Sequence, residues 1–339
     1  MSELLFPTLG TAVVVLLVLP LCAAISKALL VLLDGLAGPR LLRWGTVRYL
    51  LVVLPSLVPF AWTISAGLHQ AESGRSVIGC IFLHDFEELC LEPLLFAAML
   101  SIVALASVAP WAVRCWRLSS VRGDGSSIQA ARVAALIAGT PQIAALHGRV
   151  VVTAGGVGGS AALGLWRPIV AMDADFVNQC DDETLVGALS HELEHLRGGD
   201  TFRYWLLALS LKLNPVGAWL LKRDAAAWVF RREVQCDRAA VLAGAEPLAV
   251  ATALLRAASP QDTALAHIGG ARAKIRLRVE LLLAYAEKRP ANEMRAGASV
   301  MALVAILAGA ASVVPHVGGT NPLDVMHTTV ERVASAVFE

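Results

Sequence analysis

The pattern His191-Glu192-Leu193-Glu194-His195 combines two imidazoles and two carboxylates within one and a half helical turns. On a helix, residues four apart leave the same face, so both imidazoles can reach one small tetrahedral cation, for which zinc is the natural choice. Glu192 follows the first histidine directly. That places it beside the metal rather than on it, where its carboxylate can take a proton from water. The competing reading is two histidines on a solvated helix face. A catalytic centre demands more: a third protein ligand, with the fourth position left to water.

One segment offers that ligand. In Arg232-Glu233-Val234-Gln235-Cys236-Asp237, the carboxylates of Glu233 and Asp237 are again four apart and face one way if the segment is helical. Glu233 can then ligate while Asp237 accepts the second N–H of a liganding imidazole and fixes its tautomer. Alone, the segment reads as surface charge beside Arg231, Arg232 and Arg238. Beside HELEH, the ligand reading is preferred. Cys236 reads as a small buried hydrophobe near the site rather than a ligand.

HELEH followed by Arg197 and Asp200, then Glu-x-x-Cys-Asp at Glu233, Cys236 and Asp237 after a helix opening with Asn214-Pro215, resembles the BlaR/MecR-type membrane zinc metallopeptidases, a gluzincin branch. The resemblance covers about residues 1 to 316. It implies His191, His195 and Glu233 as zinc ligands, Glu192 as catalytic acid/base, and a zinc domain carried between transmembrane helices of the bacterial cytoplasmic membrane. It also implies a protein or peptide substrate. In the best-known members, cleavage follows beta-lactam sensing and lifts a transcriptional repressor. Gluzincins often use a late His, Tyr or Arg to stabilise the oxyanion; His267 is the candidate here, against the plainer reading of a surface loop histidine. One departure concerns the stimulus. Residues 317–339 are too few for the external penicillin-binding sensor and contain no Ser-x-x-Lys, so acylation by beta-lactams is not expected.

The elements that must position these residues begin in a membrane. The chain has 339 residues, 57% hydrophobic and only 16% charged, with a mean hydropathy of +0.65. Ordinary soluble domains are less apolar and more charged. A net charge of +1 argues against direct nucleic-acid binding. Apolar runs predict transmembrane helices over about 4–26, 49–68 and 93–113, and a slightly short fourth over 298–314. The first reads as an uncleaved anchor, because its only early charge is Glu3 and no basic residues precede it. Pro55 and Pro59 fall inside the second, which membrane helices tolerate.

Loop charges orient the spans. Lys27, Arg40, Arg43 and Arg48 follow the first, and Arg114, Arg117 and Arg122 close the third. The loop between the second and third carries Glu72, Asp85, Glu87, Glu88 and Glu92 against Arg75. By the positive-inside rule the zinc domain is cytoplasmic and both termini are external. Cys80 and Cys90 then lie in an external loop where a bridge is chemically possible but not required.

The expected architecture is therefore a mainly α membrane protein with four transmembrane helices. Residues 1–114 form the membrane domain. Residues 115–297 form a cytoplasmic α+β zincin-like metallopeptidase domain between helices three and four, followed by the span at 298–314 and a short external tail, 315–339. Within the catalytic domain, an amphipathic helix near 128–137 and short strands at 150–152 and 168–172 precede a zinc helix over about 182–197. The glycine-rich Gly155-Gly156-Val157-Gly158-Gly159 formally fits a dinucleotide loop. The segment after it is strand-like and contains Pro168 instead of opening a helix, so that reading is set aside.

The apolar stretch 204–221 needs separate treatment. A single crossing there would put Glu233 on the opposite side from both histidines, and two crossings would each be too short. Asn214 and Pro215 break it as N-cap and first helical residue. The expectation is two helices, one ending near Lys212 and one reaching about Ala243, lying in or on the cytoplasmic leaflet. The expected function is a membrane-integral zinc endopeptidase acting on a protein at the cytoplasmic face in regulated proteolysis. A quality-control protease and a non-proteolytic receptor or scaffold with structural zinc are the alternatives. Glu192 argues against the last, since a structural site needs no base.

Overall fold

The structure, a computed structural model, describes residues 11–37, 45–72, 98–99, 101–110, 113, 127–154, 158–165, 167–257 and 271–287. The described residues are mainly helical with one small sheet. They divide into two compact units, one drawn from Met1–Pro110 and Leu206–Ala225, the other from Trp111–Trp205 and Ala226–Gly297.

In the first unit, a short stretch of wide helical turn, Val14–Val18, runs directly into helix α1, Leu19–Ala37. The wide turn precedes Pro20, whose missing N–H and bulky ring are accommodated by this local change of pitch. The stretch Thr11–Gly35 is long and apolar enough to cross a membrane. The helix continues past the expected end at residue 26, because Lys27 and the Ala and Leu residues after it are good helix formers and no Gly or Pro intervenes before Gly35. Helix α2, Gly45–Glu72, contains Pro55 and Pro59 without interruption. Arg48 at its start pairs with Asp34 of α1. Of the third expected span, helix α3 is described over Ser101–Pro110. The fourth expected span, the segment with Cys80 and Cys90 expected to be external, Cys115, His267 and the tail lie outside the described residues.

The second unit starts with helix α4, Ile128–Gly139, capped by Ser127 through the Ala130 N–H, and a tight turn at Pro141–Leu146. Strands β1 (Val150–Thr153), β2 (Ser160–Leu163) and β3 (Ile169–Asp173) follow. They form one sheet in the order β1-β3-β2. β1 is parallel to β3, with Val152 opposite Met172, and β2 is antiparallel to β3, with Ser160 opposite Met172. Sequence patterning anticipates β1 and β3. It misses β2, whose Ser-Ala-Ala-Leu lacks the β-branched and aromatic residues that mark strands.

A short helix α5, Ala174–Gln179, leads into helix α6, Asp182–Gly198. Asp181 caps α6 by accepting the Thr184 N–H at 2.8 Å. Gly199, with φ of 63°, ends it in the left-handed conformation that glycine adopts at least cost. The inner face of α6 joins one core with Ile143, Leu146, Val170, Met172 and Phe176. Helices α7 (Asp200–Leu213) and α8 (Pro215–Leu242) follow, then α9 (Pro247–Ala257) and α10 (Ala271–Glu287). α9 crosses α6 at Gly187, where an added Cβ would stand 2.9 Å from the Ala249 carbonyl carbon and Val250 nitrogen. A glycine is required at that crossing.

The break between α7 and α8 falls at Asn214, as expected. Leu206–Ala225, expected inside the 115–297 domain, clusters instead with the first unit. The reason is polar as well as apolar: Ser210 bonds to the carbonyls of Val52 and Val53, and Asn214 to that of Leu19.

Candidate metal centre

Helix α6 carries His191 and His195 on one buried face, 7% and 6% exposed. Their rings meet edge to face with centroids 4.7 Å apart. The two Nε2 atoms point at each other across 3.0 Å. Helix α8 brings Glu233 to the same point, with Oε2 3.5 Å from His191 Nε2 and Oε1 3.5 Å from His195 Nε2. These three donors could hold a metal ion. Ligands about 2.0–2.1 Å from one tetrahedral centre stand about 3.3 Å from each other. Separations of 3.0, 3.5 and 3.5 Å therefore fit a common ion, and two imidazoles with one carboxylate are a donor set suited to zinc.

The far nitrogen of each imidazole faces a carboxylate. His195 Nδ1 is hydrogen-bonded to Asp200 Oδ2 at 2.8 Å. Asp200 is fully buried and accepts further bonds from Arg232 Nε at 2.6 Å and Arg203 Nη1 at 3.4 Å. His191 Nδ1 lies 2.8 Å from Asp237 Oδ1, close in distance although its N–H is off the line of a straight hydrogen bond. Asp237 is gripped by Arg278 of α10, whose Nε and Nη2 donate to its two oxygens at 2.8 and 2.7 Å. Such carboxylates fix the tautomer that turns Nε2 toward a metal.

Glu233 is fixed in turn. Tyr204 Oη donates to its Oε1 at 2.9 Å, and Arg278 Nη1 lies 3.0 Å from its Oε2. Glu192, next to His191 on α6 and 6% exposed, accepts a hydrogen bond from Ser160 Oγ of β2 at 2.9 Å.

The protonation pattern follows from crowding. Burial disfavours a charged His191, yet the carboxylates of Asp237 and Glu233 outweigh it and raise its pKa. His195 is raised likewise, with Asp200, Cys236 and Glu233 opposing the effect of burial. Burial opposes ionisation of Glu233, but the two imidazoles hold its carboxyl far below the usual range. Burial together with the nearby charges of Glu233 and Asp200 keeps the Tyr204 phenol protonated, hence a donor.

A second donor group, His195, Asp200 and Cys236, shares one histidine with the first. Its chemistry is poorer. Cys236 Sγ is 3.5 Å from His195 Nδ1 and 3.7 Å from Asp200 Oδ2, and burial pushes its thiol up, away from the thiolate a metal needs. Asp200 is already committed to two arginines. The group using both Nε2 atoms and Glu233 is the better site.

The structure thus gathers His191, His195, Glu233 and Asp237, and buries Glu192 beside His191 on the same helix. His267 falls outside the described residues. Four contributors escape sequence reasoning as site residues: Asp200, Tyr204, Arg278 and Ser160. Asp200 carries a faint signal, since it follows the second histidine by five residues, just past the Gly198-Gly199 stop. Tyr204 stands at the edge of an apolar stretch and Arg278 in a basic run, so neither has a diagnostic spacing. No protein-family model, curated protein or solved structure matches this chain.

Proposed function

We propose that the protein is a membrane-integral zinc endopeptidase of the BlaR/MecR type that cleaves a protein substrate at the cytoplasmic membrane face in regulated proteolysis. The observation that carries this reading is the convergence of His191 Nε2, His195 Nε2 and Glu233 on one point with Glu192 alongside. His191, His195 and Glu233 would hold the zinc, which in such sites supplies Lewis acidity toward water and a carbonyl oxygen. Glu192 acts as the proton carrier. With Oε1 engaged by Ser160, its other oxygen takes a proton from the attacking water and returns it to the departing amine nitrogen. Asp200 and Asp237 hold the two imidazoles in register, and Arg278 and Tyr204 restrain Glu233 between them.

Membrane integration is supported by composition and by the outer surface of the first expected crossing, where Leu16, Leu17, Leu21 and Ile25 are all more than half exposed. Water would disfavour such a band; a bilayer accepts it. Four spans are read from the apolar runs, and a cytoplasmic zinc domain from the loop charges.

The test separates base from ligand. Glu192→Gln keeps the shape but cannot accept the proton, so it should retain near-stoichiometric zinc while losing roughly 100-fold or more of peptide cleavage. Glu233→Ala should lose zinc and cleavage together. Metal content and cleavage of purified, membrane-reconstituted protein are measured side by side. Undiminished cleavage by Glu192→Gln would end the peptidase reading.

A further inference from the structure

We propose that Leu206–Ala225 is a re-entrant helical hairpin, entering the bilayer from the cytoplasmic side and occupying the inner leaflet against the first two membrane helices. The inference rests on the membrane reading above and goes beyond it, placing within the lipid a segment that crosses nothing.

Three polar contacts within this unit measure depth. Asn214, at the hairpin tip and 1% exposed, donates from Nδ2 to the Leu19 carbonyl at 2.9 Å. Leu19 lies seven residues inside the cytoplasmic end of the first expected crossing, 4–26, or about 10 Å at 1.5 Å per residue. Ser210, fully buried, reaches the carbonyls of Val52 and Val53 at 3.2 and 3.1 Å. Those residues lie about 5 Å inside the second crossing, 49–68, and Asn214 is about 6 Å further along its helix than Ser210. The two estimates of tip depth agree. On the way out, Asp224 lies about 15 Å back from the tip, just outside the hydrocarbon, where its carboxylate meets Lys27 Nζ at 2.7 Å. Lys27 is the first residue beyond the first crossing. A tip at about 10 Å stops short of the midplane of a core about 30 Å thick.

The tip is built for a place without water. A lipid environment requires every polar group to find an internal partner. Asn214 uses its amide on Leu19 and its Oδ1 on the Gly217 N–H at 2.7 Å, while its carbonyl accepts from Ala218 N at 2.7 Å. Pro215 has no N–H to satisfy. The turn is a single residue, so no loop is left to solvate. The outward side chains beyond it are apolar: Val216 is 44% exposed and Trp219 70%. Lys212 is the exposed cation nearest the tip, and its long stem lets the ammonium reach back to the headgroups. Lys222 and Arg223 are exposed at the exit, at the level of the anionic lipid headgroups of the cytoplasmic leaflet.

The experiment uses the unmodified full-length chain. The protein is reconstituted in phosphatidylcholine–phosphatidylglycerol vesicles containing a phospholipid with a diazirine on its acyl chain. After photolysis, carbene adducts are mapped by mass spectrometry on the tryptic peptides 1–27, 213–222 and 123–132. The last contains Ile128, 84% exposed in the other unit. Peptide 213–222 is expected to label within about threefold of 1–27 and about tenfold above 123–132, because acyl-chain carbenes reach only residues in the hydrocarbon. Strong labelling of 1–27 with 213–222 at the level of 123–132 overturns the hairpin alone. Absence of labelling on 1–27 overturns the membrane reading, and the hairpin with it.

Discussion

His191 and His195 each face a carboxylate on the nitrogen away from the cluster, but the two supports differ in kind. Asp200 is fully buried and straddled by Arg232 and Arg203, whereas Asp237 is clasped from one side by Arg278. Asp200→Asn and Asp237→Asn preserve shape and remove the charge that favours the metal-bound imidazole. Each should weaken zinc binding by about 10–100-fold, as loss of such partners does elsewhere, measured by competition with a chelator on protein checked for folding by circular dichroism. Cys236→Ser distinguishes the two overlapping donor groups. If zinc sits on His191, His195 and Glu233, affinity should fall by less than the roughly tenfold expected for loss of even a supporting partner. Loss of zinc on this substitution would move the metal to His195, Asp200 and Cys236.

At the scale of elements, the site depends on how closely α6 meets α9. Gly187 lies near the middle of α6, four residues before His191, and its Cα faces the Ala249–Val250 peptide of α9. A methyl group there overlaps backbone, which cannot swing aside as a side chain can. Gly187→Ala should therefore cost about 1–3 kcal/mol, typical of overpacking, and lower the melting temperature of the full-length protein followed by differential scanning fluorimetry. Gly139, which has nothing within 4 Å of an added Cβ, serves as the control. Gly139→Ala should leave the melting temperature near wild type.

On the scale of the whole molecule, function depends on which compartment each segment faces. The alternating loop charges predict Cys80 and Cys90 outside and Cys115 inside. In intact cells, after reduction of any bridge, an impermeant thiol reagent should modify single-cysteine variants at position 80 or 90 and leave position 115 untouched. Modification at 115 alone would invert the topology and put the zinc domain outside.

By itself, the sequence determined what depends on short-range spacing. Four-residue separations put His191 with His195 and Glu233 with Asp237 on common helix faces. Asn214 and Pro215 mark a helix boundary through a cap and a fixed backbone angle. The apolar runs marked candidate spans, because a bilayer selects for length and hydropathy, both of which are local properties. Tertiary structure alone decided which residues from distant segments meet. Arg278 reaches Glu233 and Asp237 from more than 40 positions away, and Ser160 reaches Glu192 from a strand too small-residued to be recognised. Leu206–Ala225 shows the same limit on a larger scale. Its hydropathy suggested the membrane, and the expected ligands on either side of it argued against a crossing, but only the bonds from Ser210 and Asn214 to the backbones of two other helices show what it packs against. Contacts of that kind are chosen by shape and by the need to satisfy buried polar groups, and neither leaves a periodicity for the sequence to display.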